Sequence, residues 1–294
     1  MKFYITTVIF LFLNVYVSAQ GCCSGGSANP IAGGGATGVL KLGQIELATN
    51  YQYDQSNKFF KGSQDTLALF DKISSSYTYL RADYGLSKKL TLSVASGYFL
   101  DKKLIELGGH NVVKSSGIGD LIIFPRYNLF SKTKDNQTSE FTFGLGYKIP
   151  LGSNNDSTIV YTSPAGEDYY ATSPPTVQTT MGSQDFMFYG LYYKSFKKQK
   201  LRVFSNVLYV RRGYNSLGQK FGDYASLSVF AGKEVIKRLS VTLQLRADWI
   251  RQLKGADKID LLAYYGIDAP STGSRKLSLI PQLSYYYKSV TVFA

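Results

Sequence analysis

The sequence predicts an all-β protein, an antiparallel transmembrane β-barrel of about twelve strands, on three observations. Apolar and polar residues alternate singly along ten stretches, the period with which side chains leave the two faces of a strand. The breaks between these stretches are by turns short and long, as in barrels with tight turns at one membrane face and long loops at the other. The chain also opens on an export signal. Mean hydropathy is only −0.10, which a barrel shares with soluble proteins because its lumen-facing residues are polar.

Residues 1–19 read as the cleaved signal peptide. Met1-Lys2 gives the positive start, FYITTVIFLFL the apolar centre, and Val17-Ser18-Ala19 the small residues before a cut at Gln20. The apolar run is shorter than the ~20 residues a spanning helix needs. Residues 20–38 form a flexible Gly-rich segment, thin enough to lie inside a barrel or to extend into the periplasm, and 39–294 form the barrel. The only two cysteines, Cys22 and Cys23, are adjacent, and neighbours make a strained disulfide. As a thiolate pair they would suit a soft metal ion, but with no third Cys and no nearby His the donor set is incomplete.

From Val39 onward come strands of spanning length, ~9–11 residues each. The first, about 39–53, sets Ile45, Leu47, Tyr51 and Tyr53 against Gln44, Glu46, Asn50 and Gln52. The second, about 73–86, sets Leu80, Ala82 and Tyr84 against Arg81 and Asp83; the third, 90–100, sets Leu90, Leu92 and Val94 against Thr91, Ser93 and Ala95. Strands four and five form a hairpin across 117–153, joined by SKTKDNQTS. In its second arm Phe141, Phe143, Leu145, Tyr147 and Ile149 oppose Glu140, Thr142, Gly144, Gly146 and Lys148. Strands six to nine are expected at about 184–195, 200–211, 223–234 and 238–251, the tenth at about 275–287, and an eleventh opens at Val290. Single-chain barrels have even strand numbers. The reading therefore expects the rest of strand eleven and a twelfth beyond Ala294, or else closure at ten with a terminal stub.

Connections after strands two, four, six, eight and ten are short. Those after one, three, five and nine are long, the longest being 151–183. Arg81, Asp83, Arg126, Lys148, Arg202, Arg246 and Asp248 all take the polar face of their strands. On the lipid face a mid-membrane Arg would cost ~2–4 kcal/mol. Tyr51, Tyr53, Tyr84, Tyr98, Tyr127, Tyr285 and Tyr287 lie near strand ends, where interfacial aromatic girdles sit. Pro125 and Pro281 fall mid-strand and lead to an expectation of bulges.

The net charge is +13, but the basic residues recur in short polar breaks (Lys88-Lys89, Lys132, Lys134, Lys197-Lys198, Lys237-Arg238) rather than in one block. Solvated turns explain them, and nucleic acid is not an expected partner. The expected surroundings are outer-membrane lipid.

Gly117-Ile118-Gly119-Asp120 followed by Pro125-Arg126-Tyr127-Asn128-Leu129 resembles a "GxGD … KYxL" strand of the outer-membrane family named for the MetA pathway of phenol degradation. Gly144-Leu145-Gly146-Tyr147-Lys148-Ile149-Pro150-Leu151-Gly152-Ser153 resembles that family's next strand, and Gly182-Ser183-Gln184-Asp185 a later strand opening. The resemblance covers most of residues 39–287 and implies a barrel of about twelve strands, related to channels that take up fatty acids and aromatic hydrocarbons. The Tyr- and Asn-rich style looks like Bacteroidetes proteins. The cysteine pair is a departure from the family.

Catalytic chemistry finds little support. The single His, His110, sits in a Gly-flanked loop without a nucleophile partner, and no phosphate loop or Cys–His pair occurs; neither enzyme activity nor a cofactor is expected. The expected function is passage of a small solute, hydrophobic or aromatic or anionic, across the bacterial outer membrane. Arg81, Asp83, Arg126, Arg202, Arg246 and Asp248 are the candidates for the selective lining. For each, the plainer alternative is a salt bridge that fills the barrel. Two other classes remain open: a non-conducting structural or adhesion barrel with binding loops, and a metal-linked exporter component using Cys22-Cys23.

Overall fold

The computed structural model describes residues 38–61, 64–68, 70–109, 111–257, 259–261, 268–287 and 290–293. The expected signal peptide, all but the last residue of the Gly-rich segment, Cys22, Cys23 and His110 lie outside the described residues. One 11-stranded antiparallel sheet follows chain order throughout. Its strands are β1 (Ile45–Ser56), β2 (Lys72–Gly85), β3 (Leu90–Ile105), β4 (Val112–Lys134), β5 (Gln137–Pro150), β6 (Asp185–Phe196), β7 (Leu201–Arg212), β8 (Tyr224–Ile236), β9 (Leu239–Ile250), β10 (Ser274–Tyr287) and β11 (Val290–Phe293). Each pairs with the strand before it, the meander of an up-and-down barrel.

Connections 86–89, 135–136, 197–200 and 237–238 share one end of the sheet, and 57–71, 106–111, 151–184, 213–223 and 251–273 the other. The connection after β3, 106–111, is shorter than the sequence suggested. β3 and β4, at 16 and 23 residues, run on past the spanning length and stay paired as a ribbon up to Ile105 and Val112 at the long-loop end. In the β4–β5 hairpin the polar link contracts to Asp135-Asn136, whose φ of 45° and 65° give the tight turn whose twist matches its strands.

The side-chain distribution is inverted relative to a soluble protein. On the convex face Leu80, Leu129, Leu145, Val207, Leu245 and Leu279 are each at least 46% exposed. A soluble monomer does not leave so continuous an apolar band to water, whereas hydrocarbon matches it. The concave face holds the buried polar groups, Thr91, Ser93, Asn128 and Thr142 among them.

That concave face also carries something the alternation did not suggest. Tyr77 and Tyr79 of β2, Phe99 of β3, Phe124 of β4, Tyr189 of β6, Phe204 of β7 and Phe230 of β8 form one buried cluster. The sheet therefore curls tightly enough for strands two apart to touch: Phe124 meets Tyr189 edge-on at 5.7 Å across β5. β5 permits this because its inward positions are glycines. A Cβ on Gly146 would stand 2.5 Å from Phe124 Cδ2, and one on Gly144 would stand 2.8 Å from Phe124 Cζ. The GLG of β5 is a bed for an aromatic ring, and burying such a ring contributes about 1.5–3 kcal/mol.

Bulges occur, but not at the prolines. Pro125 faces Leu92 in regular register with β3, and on the β5 side the pairing passes over Phe124-Pro125 with its offset unchanged. Pro281 faces Leu243 in unbroken register. On its other side β11 pairs only Ser284–Tyr287, so among the described residues no ladder runs past Pro281 there. The register shifts of the main sheet lie instead at Ser76/Tyr77 of β2, Asn128/Phe130 of β4, Glu234/Ile236 of β8 and, on β3, at Ser96/Tyr98 and Phe99/Lys102. Strict alternation from Phe99 would turn Lys102 outward; the bulge brings both inward, to 2% and 3% exposure.

The packing is uneven around the sheet. From β2 to β8 inward residues are buried, but along β1 and β10 most are only half-buried or exposed.

Candidate functional site

The interior is organised as charge clusters at two heights. Towards the short-turn end, Asp83 receives Arg81 Nε at 3.0 Å and Arg126 Nη2 at 3.2 Å, and Arg81 also reaches Glu46 at 3.6 Å. Arg126 donates to Ser93 Oγ at 3.1 Å. All three charges of the Arg81–Asp83–Arg126 group are buried, at 4%, 1% and 2% exposure. At the same level Gly38–Leu40 enters the lumen, where the Leu40 amide donates to Thr91 Oγ1 at 2.7 Å. This is the described end of the thin Gly-rich segment.

Arg202 of β7 lies at the same end of the sheet but reaches towards the other flank, to β9 and β10. It donates to Tyr286 OH at 3.0 Å and Ser240 Oγ at 3.3 Å, and no carboxylate lies within ion-pair distance among the described residues. At the long-loop end of that flank Arg246 donates to Asp248 Oδ1 at 2.9 Å and to Tyr224 OH at 2.6 Å, while Tyr224 OH donates to Asp248. The charged pair keeps solvent contact, with side-chain exposure of 27% for Arg246 and 13% for Asp248, while Tyr224 is buried. The six sequence candidates thus divide: Arg81, Asp83 and Arg126 come together in a dry cluster, Arg246 and Asp248 pair beside open space, and Arg202 stands apart with a phenol.

A further cluster was only partly legible. Lys148 Nζ lies 3.1 Å from Asp120 Oδ2 and 2.9 Å from Asp185 Oδ2. Asp185 also accepts from Ser183 Oγ at 2.8 Å, and Asp120 accepts from Thr180 Oγ1. Asp120 and Asp185 are the acids that close the Gly117-x-Gly119-Asp120 and Gly182-Ser183-Gln184-Asp185 motifs. Each motif delivers one carboxylate to a single lysine, which the two motifs read separately could not disclose.

These contacts tie down the longest loop. Its segment 173–183 turns inward across the long-loop end, with Val177, Thr179 and Ser183 buried. Lys102 Nζ and Ser115 Oγ donate to the carbonyls of Gln178 and Val177. Thr179 lies so close to Gly152 that any Cβ there would overlap its hydroxyl and the Ile118 carbonyl. Met181 then joins Phe221 and Leu253 in a small core shared by loops 151–184, 213–223 and 251–273. Beside it a cleft of about 210 Å³ is lined by Asn154, Ser173, Gln178, Thr180, Asn215 and Phe221. The mouth is thus covered by a folded cap. Among the described residues no group of three His, Cys, Asp or Glu could hold a metal ion.

Neither a protein-family model nor a curated protein matches the chain. Among solved structures, the fold is similar to that of the COG4313 outer membrane channel from Pseudomonas putida F1, with a TM-score of 0.57 over 85% of each chain at 13% identity. The fold is that of an outer-membrane channel barrel.

Proposed function

We propose that the protein is a bacterial outer-membrane channel, exported by its signal peptide, that passes small anionic or aromatic molecules through the barrel without acting on them chemically. The observation that carries this reading is the inverted side-chain distribution. An apolar convex band suits lipid, and the charges face a lumen that is filled on one flank and sparse on the other. The likeness to a channel barrel supports the same reading, and so does the resemblance of the glycine motifs to the phenol-pathway family.

The passage runs along the sparse flank, lined by Arg246 and Asp248 of β9 and by Arg202, which reaches across from β7 to Tyr286. Arg202 beside Tyr286 presents guanidinium next to phenol, a pairing suited to a carboxylate or phenolate carried on an aromatic ring, and Arg246 adds a partly exposed guanidinium. Arg81, Asp83 and Arg126 compensate one another and hold up the opposite wall.

Liposome swelling tests this with solutes of matched size. An aromatic carboxylate is expected to enter proteoliposomes faster than a neutral sugar; equal exclusion of both would contradict the reading. A second reading, an adhesion barrel, draws on the hairpin 157–162/168–172, where Tyr161, Tyr169 and Tyr170 are 55%, 52% and 63% exposed. Folded protein that admits no solute would favour it.

A further inference from the structure

The excess positive charge of the chain is not spread over it. The short connections 86–89, 135–136, 197–200 and 237–238 contain seven Lys or Arg against one acid, Asp135, and the strand ends flanking them add Lys132, Lys134, Lys194 and Lys233 against Glu234, making eleven cations in all. The long connections at the other end (57–71, 106–111, 151–184, 213–223 and 251–273) contain six against ten, and the longest of them has no Lys or Arg at all. The strand order brings the four short segments to one rim.

At that rim Lys88, Lys89, Lys132 and Lys134 are exposed, each on a turn or at a strand end. Lys197, Lys198, Lys237 and Arg238 repeat the arrangement further round. Of the eleven, Lys200 alone has a carboxylate within ion-pair distance among the described residues, Glu234 at 3.2 Å. Beside the charges stand outward aromatic and apolar side chains: Leu129, Phe130, Val235, Ile236, Tyr285 and Tyr287 are all more than a third exposed. Two of the cations lie over rings, Lys194 Nζ 5.2 Å from the Phe196 centroid and Arg238 Cζ 5.6 Å from that of Tyr287.

Bare like charges repel and cost stability unless something opposite meets them. A soluble acidic protein would meet one sector of such a rim. A ring of cations just beyond a ring of interfacial aromatics is met on all sides only by a bilayer surface. We propose that this basic rim binds anionic phospholipid headgroups of the leaflet at the short-turn, periplasmic end, and so fixes the depth of the barrel. The proposal rests on the outer-membrane reading above.

The test uses the full chain in bilayers of phosphatidylcholine containing spin-labelled phosphatidylglycerol or phosphatidylcholine, and compares the fraction of each probe immobilised at the protein. Phosphatidylglycerol is expected to be favoured about threefold or more, the preference vanishing near 1 M salt, where the screening length is ~3 Å. In the combined variant K88Q/K89Q/K132Q/K134Q/K197Q/K198Q/K237Q/R238Q it should fall close to unity, while a control with Lys58, Lys103, Lys114 and Lys254 changed to Gln keeps it. Inserted, heat-modifiable protein with no preference, or with the same preference in the rim variant, would overturn the proposal and leave the barrel reading standing. Protein that never inserts in any of these bilayers would overturn both.

Discussion

The two flanks of the barrel wall look alike from the lipid and differ inside. On β2 through β8 the inward side chains interlock: Phe124 rests on glycines, Tyr77 packs on Phe99 at 4.6 Å, and Asp83 is enclosed by two arginines. On β1 and β10 most inward residues are small or polar, among them Ala48, Asn50, Ser278 and Gln282, and most remain half-exposed. One flank is built as a core and the other as a wall. On the proposed channel reading, a charge on the first flank serves stability and a charge on the second meets the solute.

Paired substitutions sharpen this contrast. Asp83→Ala leaves Arg81 and Arg126 buried together without their shared carboxylate, and is expected to destabilise the folded barrel by about 3–5 kcal/mol. Asp248→Ala on the open flank, where water can replace the lost partner, should cost only about 1–2 kcal/mol. Urea midpoints of the heat-modifiable form would measure both, and equal costs would erase the distinction between the flanks.

Next in size is Gly146→Val, which puts methyl groups where Phe124 lies. Overpacking of this kind costs about 1–3 kcal/mol. Combined with Phe124→Ala, the valine should cost less than it does alone, a coupling that independent sites would lack. Thr180→Val removes a hydroxyl from Asp120 and loosens the inward loop. Its expected signature is faster proteolysis within 151–184 with the midpoint shifted by about 1 kcal/mol or less. The smallest effect belongs to the exposed Lys200–Glu234 pair, where Lys200→Ala should stay within about 0.5 kcal/mol.

Much of the wall was legible in the sequence, because single alternation survives wherever one face meets lipid. Leu239 through Trp249 on β9 is the clearest run, and the structure starts the strand at Leu239. The interior was less legible, for particular reasons. Counting back by twos from Arg126 turns Ile122 and Phe124 inward, but Leu121-Ile122-Ile123-Phe124 is apolar on both faces and gives no sign that the inward side carries an aromatic core. Lys102 is turned in by a bulge, which breaks the very period used to sort faces. The meeting of Phe124 with Tyr189, and of Lys148 with Asp120 and Asp185, depends on how tightly the sheet curls, a property held by residues on intervening strands. The motif glycines have a reason that only the packing shows: one group seats an aromatic ring, and Gly152 makes room for Thr179 of the inward loop.

The central claim, a passage along the sparse flank, is tested most directly by single-channel conductance of the refolded full-length protein in a planar bilayer, using salts of differently sized anions, alongside Arg246→Ala and Arg126→Ala. Small discrete steps with anion preference are expected, the preference falling in Arg246→Ala. Arg126→Ala should keep the preference in whatever fraction still folds. Folded protein that carries no current, or a preference that follows Arg126 and ignores Arg246, would contradict it.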